Sequence, residues 1–115
     1  MPVESILTSV KKLLGIQEEY KHFDEELVIQ INSALMSANM IGIGPAAGFS
    51  IKDDTAKWED FIGLRKDLEA IKTYIYHKVR VAFDPPQTGP LVEAINNQIK
   101  ELEWRLTVQA ENEEA

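Results

Sequence analysis

Two histidines, His22 and His77, are the side chains best suited to acid–base or metal chemistry, and they stand far apart in the chain. Neither has a second ligand at the spacing of a His-x-x-x-His pair. A single histidine without a further ligand does not define a site, so each is interpreted as a surface or helix-face residue. The sequence therefore predicts no metal site and no cofactor.

Other candidates for chemistry are equally weak. The serines and threonines lack the glycines of a nucleophile elbow. Asp53 and Asp54 are adjacent, so their carboxylates diverge on most backbones and suit helix capping better than catalysis. Residues 41–48 hold three glycines and one proline, but not the Gly-Lys-Ser/Thr ending of a phosphate-binding loop. No set of residues predicts catalysis, and we expect the protein not to be an enzyme.

The composition is that of an ordinary globular protein. The 115 residues fit one domain, residues 1–115, with 44% hydrophobic and 27% charged residues. No apolar run approaches the ~18 residues that a membrane span needs, so no membrane association is expected. There are no cysteines, which removes disulfides and thiolate metal ligands.

The formal net charge is −7, and the acidic excess lies in residues 23–54 and 84–115. An acidic chain is poorly suited to gripping phosphates. It could line a path along which DNA slides, because like charges repel, although solubility is the simpler explanation. One basic stretch offers a possible DNA-binding face instead. It comprises Arg65, Lys66, Lys72, Lys78 and Arg80.

Apolar residues at three- and four-residue spacing predict an all-α fold, a small bundle of four to five helices. The predicted helices span residues 3–14, 25–40, 56–62, 64–83 and 91–108. We expect Gly15 to end the first helix, Asp24 to cap the second, and Asp54 or Thr55 to cap the third. Residues 49–51 alternate and predict a short extended piece. The acidic tail 109–115 is expected to be flexible.

A break separates the long helix from the long C-terminal helix. It is formed by Phe83, Asp84, Pro85 and Pro86. Two adjacent prolines cannot continue a helix, because each lacks a backbone N–H and disfavours helical geometry in the residue before it. We expect this segment to be an elbow that sets the last helix against the long one.

Two helix faces exceed what a small monomer needs. The last helix has a narrow apolar seam, which is typical of packing along another helix. Its residues are Val92, Ile95, Ile99, Leu102 and Leu106. On the long helix, Tyr76 and Val81 fall outside the main apolar stripe, so a second face is partly apolar. Such a helix is either central in its bundle or shared with a neighbouring subunit.

The order of these features is distinctive. Phe23-Asp24 is followed by the glycine-rich middle, Trp58, Tyr74-Ile75-Tyr76, Arg80, Phe83-Asp84-Pro85-Pro86 and Glu101-Leu102-Glu103-Trp104-Arg105-Leu106. In this order the chain resembles the head–tail connector (adaptor) family of tailed bacteriophages and prophages. The resemblance covers nearly the whole chain. Its most specific part is the Phe-Asp-Pro-Pro turn followed by the Glu-Trp-Arg-Leu helix.

The resemblance implies a structural virion protein whose copies form a homo-oligomeric ring, about twelve on the portal protein at the capsid vertex. The ring would extend the DNA channel toward the tail and let genomic DNA pass without specific binding. It would also carry the downstream tail-joining (stopper) protein. The implied location is the head–tail interface of the virion, reached from the host cytoplasm during assembly.

Several residues are candidates for contact with another subunit or with the portal. They are Gly42, Ile43, Gly44, Phe49, Ile51, Tyr76, Val81 and Val108. The alternative function is a small helical DNA-binding or packaging factor, similar to a small terminase subunit, that uses the basic stretch.

Overall fold

The computed structural model describes residues 5–45, 47–63 and 68–114, with their side chains except those of residues 68 and 109–114. Within these ranges the chain forms an all-helical bundle, as predicted. The helices are α1 (Ile6–Leu14), α2 (Asp24–Met40), α3 (Trp58–Ile62), α4 (Leu68–Phe83) and α5 (Gly89–Glu114). The predictions for Val3, Leu64, Arg65 and Lys66 lie outside the described residues.

Helix α1 is closed at both ends by local hydrogen bonds. The hydroxyl of Ser5 accepts a hydrogen bond from the backbone N–H of Thr8 at 3.0 Å, which satisfies a donor that the first turn leaves free. Gly15 ends the helix in the left-handed conformation (φ 81°), as predicted. The buried indole of Trp58 donates to Oγ of Ser9 at 3.0 Å. This bond fixes α3 against α1.

The start of α2 differs from the prediction. Asp24 is its first helical residue, and Phe23 occupies the capping position without a side-chain hydrogen bond. The carboxylate of Asp24 instead lies 2.8 Å from Nζ of Lys11. The capping prediction was wrong because this tertiary ion pair takes the carboxylate away from its own helix.

The start of α3 was also predicted wrongly. The helix begins at Trp58, and Lys57 precedes it. The backbone N–H of Lys57 donates to the carboxylate of Asp60 at 2.8 Å, which is one half of a capping box. Asp53 instead accepts hydrogen bonds from the backbone N–H and the hydroxyl of Thr55, at 2.9 and 2.6 Å. Such local bonds make a turn rather than a helix cap.

The loop between α2 and α3 is held by two asparagines of α2. Asn32 donates to the carbonyl of Ile51 at 3.0 Å and accepts from its N–H at 2.7 Å. Asn39 donates to the carbonyls of Ile43 and Pro45 at 3.2 and 2.6 Å. Residues 49–51 do not form a strand. The amide of Asn32 gives Ile51 the pair of bonds that a neighbouring strand would give.

Helix α4 is the centre of the bundle and packs against α1, α2 and α5. Its buried residues are Ile71, Tyr74, Ile75 and Val79. The seam of α5 packs along another helix as predicted, because Ile95, Ile99 and Leu106 are buried on the side that faces α4. The expectation that this seam exceeds what a monomer needs was wrong, since α4 of the same chain covers it. Helix α5 continues to Glu114, so the predicted helix end near Val108 was wrong.

A buried cation ties the first helix to the second. The side chain of Lys11 is only 2% exposed. Its ammonium donates to the carbonyls of Glu18 and Tyr20 at 3.0 and 2.6 Å, and it pairs with Asp24. The two carbonyls accept hydrogen bonds, and the carboxylate supplies the counter-charge. The segment 15–23 between α1 and α2 is therefore held in place by its contacts with the Lys11 ammonium.

Asp24→Asn should destabilise the protein by about 2–3 kcal/mol, because it leaves the buried Lys11 ammonium without its counter-charge. Chemical unfolding followed by circular dichroism measures this loss. Asp54→Asn is the matched control. Asp54 lies 3.9 Å from Lys21, and both side chains are exposed, so the free energy of unfolding should change by less than about 0.5 kcal/mol. Equal losses in the two variants would contradict this account of Lys11.

Candidate assembly surfaces

The elbow lies where the sequence places it. Helix α4 ends at Phe83, and the Pro85-Pro86 turn precedes α5. The ring of Phe83 packs edge-to-face on that of Phe23, with centroids 5.3 Å apart. Asp84 is exposed and Pro86 is half-buried. Because Phe23 precedes α2, this contact places the start of α2 beside the end of α4, and the two helices run antiparallel.

The candidate contact residues of the loop divide into two groups. Ile43 and Ile51 are buried in the core, so their side chains are not available to a partner in this conformation. Phe49 is half-buried, and its ring lies 5.2 Å from that of Phe61. Gly42 is exposed. Only the exposed part of the loop can serve as a contact surface.

Gly44 is required by packing. Its φ angle is +87°, and a Cβ atom there would overlap the ring of Phe61. Any other residue would be strained and would push that ring away from the core. The glycine-rich sequence therefore reflects a close approach of the loop to α3.

The candidate face of α4 is partly closed within the chain. Tyr76 and Val81 are half-buried, and Val81 packs against the core. The guanidinium of Arg80 donates to the hydroxyl of Tyr76 at 3.3 Å. Val108 on α5 is at the margin of exposure, with 36% of its surface accessible.

The motif on α5 has an inner and an outer side. Leu106 is buried, and Leu102 and Glu103 are half-buried. Glu101 accepts a hydrogen bond from Arg105 at 2.7 Å across one exposed turn. Trp104 lies on the opposite side from the seam and is 67% exposed. A tryptophan held in solvent on a helix is a candidate contact residue.

The side chain of Tyr74 joins three helices. It is fully buried on α4, and its hydroxyl donates to Oε2 of Glu103 on α5 at 2.9 Å. The hydroxyl of Ser37 on α2 lies close to it, although its own proton is donated to the carbonyl of Ser33 at 3.2 Å. Burial raises the pKa of the Tyr74 phenol well above its usual value, and the hydrogen bond and negative charge of Glu103 raise it further. The phenol therefore stays protonated and keeps donating.

A surface that our sequence reasoning missed runs along the outside of α2. Ile29, Met36 and Met40 are 67, 60 and 82% exposed. They lie on one side of the helix, opposite its buried residues. The signal was present in the sequence, because residues 27–40 contain no charged side chain. A solvated helix face normally carries charges.

The two histidines lie in different environments, one on the surface before α2 and one half-buried on α4. His22 stacks edge-on against Phe23 at 4.9 Å, on the surface. Burial lowers the pKa of His77, with Arg80 adding repulsion and a hydrogen bond to Gln98 opposing the shift. Among the residues with described placement, no group of three or more His, Cys, Asp or Glu could hold a metal ion.

The described part of the basic stretch is dispersed. Lys72 lies 3.9 Å from Glu69 on the same helix. Lys78 lines a groove between α2, α4 and α5, and Arg80 bonds to Tyr76. These three cations do not converge on one surface patch. None of the helices within the described ranges is long and apolar enough to cross a membrane.

Within the described ranges the fold is all-helical, and its exposed large apolar side chains include residues on the outer faces of α2 and α5. The model of a family described as phage connector protein matches residues 6–113. The chain therefore belongs to the phage connector protein family, which confirms the resemblance. The family indicates a structural role in joining phage head and tail. No significant match was found among curated proteins or solved structures.

Tyr74→Phe should lower stability by about 1 kcal/mol at neutral pH, because Glu103 loses its donor. It should also flatten the loss of stability above pH about 10. The unfolded chain releases the Tyr74 proton there, whereas the folded chain retains it, so rising pH favours unfolding of the wild type. Urea unfolding between neutral and alkaline pH measures both effects. Tyr20→Phe, which removes a half-exposed hydroxyl, is the control. If the free energy of unfolding of Tyr74→Phe fell with pH as steeply as that of the wild type, the role given to the Tyr74 hydroxyl would be contradicted.

Proposed function

We propose that the protein forms a ring on the portal at the capsid vertex and joins the capsid to the tail. The observation that carries the proposal is the family match over residues 6–113. In this function the ring, of about twelve copies, extends the DNA channel and provides a platform for the tail-joining (stopper) protein. The function is structural, and genomic DNA passes through without specific binding.

The physical character of the chain supports this function. A closed ring uses heterologous contacts, so each copy needs two different adhesive faces. Exposed apolar side chains lie on α2 and on α5, which are separate helices. The net charge of −7 suits a channel through which a polyanion must slide, because like charges do not adhere.

The direct test mixes the purified protein with its cognate portal and measures the mass of the complex by mass photometry. Several copies per portal are expected, with no stable binding to duplex DNA at any salt concentration. A protein that stays monomeric with and without portal would overturn the ring. Salt-dependent DNA binding in its place would support the packaging-factor alternative.

The double variant Pro85→Ala, Pro86→Ala should reduce the number of copies bound to portal more than it reduces stability. Alanines restore rotational freedom to the elbow, at a cost of about 1 kcal/mol in folding. Thermal unfolding and mass photometry separate the two effects. Pro90→Ala, within the first turn of α5, is the matched control and should bind normally. Normal portal binding by the double variant would show that a rigid elbow is not needed for assembly.

A further inference from the structure

The outer face of α2 has the composition of an interface core. It presents Ile29, Met36 and Met40 to solvent, with serine and asparagine between them and no charge over residues 27–40. Interface cores are depleted in charged residues and enriched in methionine. Covering this face would remove no charge from water, so its burial carries no large desolvation penalty.

The outer face of α5 presents a different apolar pair. Trp104 points away from the seam, and Val108 lies one turn further along the same side. Tryptophan is the residue type most concentrated at binding hot spots. The faces of α2 and α5 both point away from α4, so they do not cover each other within one chain.

The contacts of Tyr74 with Ser37 on α2 and Glu103 on α5, here called the Tyr74 joint, set the relative heights of the two faces along the helix axes. The Tyr74 hydroxyl meets Ser37 and Glu103 at one level. The groove lined by Ala34, Val81 and Ile99 is a second shared level. From the groove to the Tyr74 hydroxyl, the residue numbers increase on α2, from Ala34 to Ser37, and on α5, from Ile99 to Glu103. The two helices therefore run in the same direction.

Consequently Trp104 lies near the height of Met36 and Met40. With a rise of about 1.5 Å per residue, both methionines fall within ~5 Å of the Trp104 level. Ile29, eight residues before Ser37, lies roughly 13 Å away along the axis from that level. Val108, five residues after Glu103, lies about 3 Å beyond the level of Met40, the last residue of α2.

We propose that Trp104 and Val108 of one copy pack on Met36 and Met40 of the next copy in the ring. This inference rests on the ring proposed above. In the proposed ring, the axis runs along these helices. Rotation about such an axis preserves both direction and height, so α5 of one copy meets α2 of its neighbour in parallel and at equal levels. In this register the apolar side chains of α5 in one copy face the apolar side chains of α2 in the next. Thioether sulfur also makes favourable contacts with aromatic rings.

A second copy fits this surface better than an unrelated partner does. The two faces differ from each other, lie on different helices and share a level, which suits a heterologous contact that closes into a ring. A contact of α2 with α2 would be isologous and would stop at a dimer.

Site-directed crosslinking tests the pairing, because the natural chain contains no cysteine. The double variant Met40→Cys, Trp104→Cys is treated with a short bismaleimide, both at high concentration and on the portal. A ladder of dimers, trimers and larger products is expected. Both positions are exposed, so the variant should keep the fold, and circular dichroism checks this.

Two matched variants make the result specific. Ile29→Cys, Trp104→Cys places the thiols at different heights and should give no ladder. Met40→Cys alone should stay uncrosslinked, because two copies of one face do not meet. A dimer from Met40→Cys alone would overturn the proposal in favour of an isologous contact. Absence of a Met40–Trp104 ladder from portal-bound copies would overturn it while leaving the ring intact, and failure of the wild type to bind portal would overturn both.

Discussion

The hydroxyl of Tyr74 is the constraint on which the arrangement of the bundle depends. It is buried on the central helix, donates a hydrogen bond to Glu103 on α5 and lies close to Ser37 on α2. A buried hydroxyl without partners would be costly, so sliding of α5 along α4 would break the bond to Glu103, and sliding of α2 would change the packing around this hydroxyl. The joint fixes the heights of two outward-facing apolar surfaces, and these heights decide which side chains can meet between copies.

The helices and the elbow could be predicted because their signals are local. Apolar periodicity gives the seam of α5, Gly15 ends α1, and Pro85-Pro86 ends α4 at Phe83. The predicted caps failed where a tertiary contact competed with a local one. Asp24 has the side chain of a helix cap, yet it pairs with Lys11 from another helix, and no local pattern encodes that choice.

The candidate surfaces were predicted less well, because exposure depends on the whole fold. Ile43 and Ile51 lie in a glycine-rich loop that suggested a free contact surface, but Asn32 and Asn39 draw the loop onto α2 and bury both. The outer face of α2 was not predicted, because apolar periodicity identifies the buried side of a helix and does not show that the opposite side also lacks charge. The absence of charge between residues 27 and 40 was the signal that pointed to it.

Electron cryomicroscopy of the connector bound to its portal tests the central claim most directly. The account predicts a ring in which each Trp104 lies against Met36 and Met40 of the adjacent copy, with Tyr74 still bridging α2 and α5 inside every copy. A ring in which the outer face of α2 stays in solvent, or in which α5 has left α4, would contradict it.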